Sequence, residues 1–105
     1  MSSLKNIEIL SNLNESPQNL EAEQTVLGSI LLSNEIYDEI TDINEDSFYN
    51  PVNKKIFKII HDLMSKGLLA NPITLKNFFS SEDELSDIGG SEYLVKLTKF
   101  STSKL

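Results

Sequence analysis

The chain has 105 residues, a formal charge of −7 and a hydrophobic fraction of 39%, which suits one globular domain burying about 65% of its extended chain's surface. None of its nine basic residues is arginine and it has no cysteine, which excludes disulfide scaffolds and thiolate sites and leaves a duplex-reading protein without its usual arginine forks. The single histidine, His61, cannot make a two-histidine metal site, and the longest apolar run, Val26 to Leu32, is seven residues against about 20 needed to span a bilayer.

The N-terminus carries one lysine and no apolar signal segment, so a cytoplasmic protein without a membrane partner is expected. Residues 1–16 read as a polar leader arm with scattered aliphatics that ends at Ser16-Pro17. From Asn19 the pattern is helical: Asn19 is the predicted N-cap, Glu21 and Glu23 suit the positive end of the dipole, and Leu20, Leu27, Ile30 and Leu31 form one stripe. Gly28-Ser29 inside this helix costs about 1 kcal/mol of propensity, but a small residue there lets another helix approach closely. Asn34 is the predicted cap of a short second helix with Ile36, Tyr37, Ile40 and Ile43 as its apolar positions. Asn50-Pro51 opens the strongest helix, which stops at Gly67. Its expected core face is Val52, Ile56, Ile60, Leu63 and Met64, flanked by Phe57, and its wet face is Lys55, Lys58, Asp62 and Lys66.

Asn71-Pro72 repeats the start signal for a helix through Phe79 that buries Leu75, Phe78 and Phe79. Residues 80–88 form an acidic connector anchored by Leu85 and Ile88. Gly89-Gly90 closes that turn, and Tyr93, Leu94, Leu97 and Phe100 mark a last helix. No window alternates with a period of two and no internal repeat exists. The expected fold is all-α, a single domain of five or six short helices.

Few residues suggest chemistry. Asp42-x-Asn44-x-Asp46 copies the start of a calcium loop, then fails where Ser47 replaces the required glycine and Asn53 the bidentate glutamate. Four lysines against Asp62 give the Asn50–Gly67 helix +3, leaving −10 for the rest of the chain. Such a basic face can meet phosphates, although a solvated helix surface is the commoner meaning. None of Gly28, Gly67, Gly89 and Gly90 precedes Lys-Ser or Lys-Thr, so there is no phosphate loop. His61 has no nucleophile or acid around it in sequence. No catalytic, cofactor or metal residues are expected.

Four segments in register do carry a resemblance. Pro17-Gln18-Asn19-Leu20-Glu21-Ala22-Glu23-Gln24-Thr25-Val26-Leu27-Gly28 resembles the opening P-x-[SN]-x-E-A-E-x-x-[VL]-L-G of bacterial replicative DNA helicases of the DnaB type. Phe48-Tyr49 with Ile56-Phe57 is similar to that family's D-F-Y…I-F element, Pro72-Ile73-Thr74-Leu75 to its P-x-D-x-x-T-L, and Gly89-Gly90-x-x-Tyr93-Leu94 to its G-G-x-x-Y-L. Asn53 stands where the family often has histidine, and Asn71 where it often has aspartate.

The resemblance implies an N-terminal helical domain at 17–103, with 104–105 starting a linker. A RecA-like ATPase domain, absent from this chain, is expected to follow, and ATP and magnesium belong there. It further implies self-association into dimers and, in the parent protein, a hexamer, together with docking of the primase C-terminal domain. DNA is then met only through the absent domain, and this fragment is non-catalytic in an ATP-dependent helicase. Tyr93 is the expected primase contact. Leu94, Leu97 and Phe100 are better placed for the core, which lets Tyr93 sit at its edge with the hydroxyl in water; the alternative is that Tyr93 packs inward and bonds a backbone carbonyl. Two alternatives are a free-standing helical adaptor or helicase regulator, favoured by a stop codon after Leu105, and a helix-turn-helix DNA binder. The latter would need base-reading side chains where the Asn50–Gly67 helix offers lysines.

Overall fold

A computed structural model of the chain describes residues 19–78, 86 and 89–104. The expected leader arm, Phe79 and the connector anchors Leu85 and Ile88 lie outside the described residues. Among these residues five helices are bounded, in order: α1 (Leu20–Leu32), α2 (Glu35–Glu39), α3 (Pro51–Ser65), α4 (Pro72–Phe78) and α5 (Gly90–Lys104), with a 3₁₀ turn at Glu45–Ser47 between α2 and α3. No strand occurs among the described residues.

Three of the asparagines expected to start or stop turns do so with their own side chains. Asn19 Oδ1 accepts from the Ala22 N–H at 3.0 Å, and Asn50 Oδ1 from the Val52 and Asn53 N–H groups at 2.9 and 3.2 Å, with Pro51 at the first helical position. Asn71 makes a reciprocal box: its Oδ1 accepts from the Thr74 N–H, and Thr74 Oγ1 accepts from the Asn71 N–H, both at 2.9 Å. Helix α3 ends as expected at Gly67, whose φ of +75° suits glycine and lets the Leu68 N–H reach back to the Leu63 carbonyl.

Asn34 departs from this pattern. It occupies the cap position of α2 but makes no side-chain cap bond. Its Nδ2 donates to the carbonyls of Ile30 and Ala70, both at 2.8 Å, and its Oδ1 accepts from the Ala70 N–H at 2.9 Å. The side chain therefore clamps the end of α1 to the loop before α4. Two good backbone partners 36 residues away outcompete a local cap.

Helix α1 is the central element rather than a one-striped surface helix. Ala22, Glu23, Thr25, Val26, Leu27, Gly28, Ile30 and Leu31 are all buried. Leu20, placed on its stripe by periodicity, is 46% exposed because it opens the helix, a turn before the body of the domain covers it. The α1–α5 pair is the most extensive in the fold, and Gly28 makes it possible. A methyl group there would lie 1.9 Å from the Leu97 carbonyl oxygen. Beside that crossing the Ser29 hydroxyl bonds Ser101, which donates to the Thr25 carbonyl at 3.2 Å.

The core joins α1 residues to Ile40, Ile43, Phe48, Ile56, Phe57, Ile60, Leu63, Leu75, Leu94 and Leu97. On α3, Ile59 and Asn53 are buried as well, while Val52 and Met64 are only half-buried against this core. Phe78, expected inside, is 43% exposed; α4 is two turns long and buries Leu75 alone.

Candidate functional site

The most elaborate polar cluster lies inside the domain. Glu23 on α1 is 1% exposed and Asn53 on α3 is 0% exposed. Glu23 Oε2 accepts from the Tyr49 N–H at 2.7 Å, and Oε1 from the Asn50 N–H at 3.3 Å and Asn53 Nδ2 at 3.0 Å. The carboxylate thus sits at the start of α3, where the helix dipole and free N–H groups favour negative charge. Asn53 Oδ1 in turn accepts from the Tyr93 hydroxyl at 2.6 Å, and that hydroxyl accepts from Gln24 Nε2 at 3.2 Å. No buried side-chain polar atom among the described residues is left without a partner.

This chain of bonds corrects the expected placement of the Tyr93 hydroxyl: instead of pointing to water, it closes an internal network that ties α5 to α1 and α3. Burial, partly offset by the bond from Gln24 and reinforced by the Glu23 charge, holds the phenol above its ordinary ionisation range. Gly89 helps seat the ring. Its φ is +91°, and a Cβ on it would come 2.7 Å from the Tyr93 Cβ.

Glu23 and Asn53 were not read as core residues from the sequence, although the signal was present. Glu23 is four and seven residues before Leu27 and Ile30, and Asn53 three and seven before Ile56 and Ile60, so each lies on a buried stripe. A polar residue on an apolar stripe is the mark of an internal bond network. Three of the four segments that carry the resemblance meet here: Glu23 from the first, Tyr49 from the second and Tyr93 from the last. The cluster has an acceptor for each donor and holds helices in place; it exposes no nucleophile.

Elsewhere, the calcium-like spacing resolves into a turn. Asn44 Oδ1 accepts from the Asp46 N–H at 2.8 Å, and the Asn44 N–H donates to Ser47 Oγ at 3.2 Å, which caps the 3₁₀ turn. Among the described residues no group of three histidines or acids is arranged to hold a metal, and no helix is long and apolar enough to cross a membrane. Lys55 and Lys58 stand exposed on α3 and Lys66 at its C-terminal cap, and His61, whose Nδ1 bonds the Tyr37 hydroxyl, is exposed on the same helix.

An all-helical domain is what the four segments led one to expect, and comparison with known proteins agrees. Residues 15–105 match the family model of the DnaB-like helicase N terminal domain. The chain belongs to that family. It is 37% identical over 86 residues to a replicative DNA helicase DnaB of Rickettsia conorii, covering 81% of this chain and 17% of the relative. A namesake from Rickettsia typhi is 34% identical over 104 residues (91% and 21%). One from Buchnera aphidicola of Baizongia pistaciae is 36% identical over 91 residues (86% and 20%). The chain therefore spans about a fifth of the length of these relatives.

Proposed function

We propose that this chain is the non-catalytic assembly and docking domain of a replicative DNA helicase. In this reading it self-associates, docks the primase C-terminal domain, and belongs to a cytoplasmic protein that unwinds duplex DNA with ATP. The observation that carries the reading is the convergence of three family segments on one bond network, in a chain that matches the family model from residue 15 to 105. Because the chain has no phosphate loop, ATP and magnesium fall to the ATPase domain of the parent protein.

Partner surfaces are available. Leu68, Leu69 and Ile73 stand more than half exposed within one short stretch, and Tyr49 is equally open. Aromatic and large aliphatic side chains in the open are what a docking surface needs. Tyr93 enters the proposal through its ring edge, since its hydroxyl is engaged internally.

The test is a calorimetric titration with the primase C-terminal domain, alongside light scattering of the chain over a concentration series. Saturable binding and a mass that rises to a dimer support the reading. A monomer at every concentration that leaves primase untouched favours the free-standing adaptor. Binding lost in Leu69→Ser/Ile73→Ser but kept in a folded Tyr93→Ala variant would put the primase surface at the α3–α4 loop and the start of α4, away from Tyr93.

A further inference from the structure

A groove of about 500 Å³ opens between α2, the 3₁₀ turn and the middle of α3. Half-buried Tyr37 lines it above a floor of the buried Ile40, Ile43 and Phe57, with the Tyr37 and Phe57 rings 6.0 Å apart. Its mouth carries the carboxylates of Asp38, Glu45 and Asp46 against the single ammonium of Lys58. His61 at the same rim is tied through Nδ1 to the Tyr37 hydroxyl. The bias extends beyond the rim, because residues 35–46 hold six acids and no lysine. Neither the bond network around Glu23 nor the exposed Leu69 and Ile73 uses this groove.

Apolar walls below a ring of carboxylates match one kind of side chain, a long aliphatic stem that ends in a cation. Lysine and arginine lay their methylenes on apolar surface and keep the charged head in a polar setting. An acid would meet three like charges, and a purely apolar group would leave those carboxylates desolvated without a partner.

We propose that this groove receives an arginine or lysine side chain of another protein, with its stem against Tyr37 and its cation against Asp38, Glu45 and Asp46. The site is separate from the primase surface proposed above and stands or falls without it. Its charges steer a basic partner to the groove.

The test uses the whole chain, isotope-labelled, and a 16-residue Leu/Arg helical peptide as probe, with a Leu/Glu peptide for comparison. Backbone amide shifts should concentrate at residues 37–46 and 57–61, and the Leu/Glu peptide should cause none. The variant E45K/D46K should weaken binding at least tenfold, whereas E21K/E92K, with the same change in net charge outside the groove, should weaken it no more than twofold. Circular dichroism checks that both variants keep the helical fold. K58Q removes the one cation at the mouth and should tighten binding. Equal weakening by the two double variants, or shifts scattered over the acidic surface, would overturn the proposal in favour of bulk charge attraction. Shifts at 37–46 that depend on protein concentration without peptide would overturn it in favour of a second copy of the chain.

Discussion

Gly28→Ala sets two physical effects against each other. Inside a helix, alanine is favoured over glycine by about 1 kcal/mol, so local propensity predicts a more stable protein. The tertiary structure predicts the reverse. The new methyl carbon would lie 1.9 Å from the Leu97 carbonyl oxygen and 2.7 Å from the carbonyl carbon, where a carbon–oxygen contact needs about 3.3 Å. Both atoms belong to helical backbone, so no side chain can swing aside. Helices α1 and α5 must separate by more than about 1 Å, and a gap of that size already forfeits up to about half of each dispersion contact along the seam. The Ser29–Ser101 bond and the packing of Leu94 and Leu97 lie on that seam and weaken with it. Overpacking of this kind costs about 1–3 kcal/mol and occasionally more. With two backbones in collision, the upper end applies, and a net loss of about 2 kcal/mol remains after the propensity gain. For a domain of this size that lowers Tm by about 8–16 °C. Thermal unfolding followed by circular dichroism at 222 nm measures it. An alanine variant as stable as the parent would show that α1 and α5 do not cross at Gly28.

Three further expectations concern the core and its bonds. Glu23→Gln replaces an acceptor oxygen with an amide donor facing the N–H groups at the start of α3, and should cost about 2–3 kcal/mol in urea unfolding. An unchanged midpoint would mean that Glu23 does not hold that helix. Tyr93→Phe removes the hydroxyl that satisfies Asn53 Oδ1 and should cost about 1–2 kcal/mol. Because the folded-state phenol ionises above its ordinary value near 10, the parent's tyrosine contribution is complete below pH 10 and falls as pH rises through the folded-state value. Stability of Tyr93→Phe should therefore decline less steeply above pH 10, and parallel alkaline curves would contradict the assignment. Leu27→Asp places an unpaired charge at a fully buried position and should abolish the cooperative helical transition, whereas a melt within a few degrees of the parent would put Leu27 on the surface.

Helix starts and stops were legible in the amino-acid sequence because they are decided within a few residues. Asn19, Asn50-Pro51, Asn71-Pro72 and Gly67 satisfy their own neighbouring backbone, and that chemistry needs no partner from elsewhere in the chain. Period alone also placed Leu27, Ile56, Ile60, Leu94 and Leu97 in the core. Four motifs in register indicated the family without any structure. What periodicity could not decide was which side of a helix meets two neighbours instead of one. Gly28 was read as a point of close approach, but only the crossing of α1 with α5 shows that the approach is backbone to backbone and that α1 is enclosed rather than striped. Asn34 carried the same local signal as its fellow caps and was diverted by the Ala70 backbone, a partner that exists only once the chain has folded. The same reason governs the polar core. Glu23, Asn53 and Tyr93 are separated by 30 and 40 residues, and the buried carboxylate is tolerable only where the distant Tyr49 and Asn50 N–H groups and the Asn53 amide converge on it. Its burial is therefore a property of the tertiary structure, and the sequence alone shows only a polar residue on an apolar stripe.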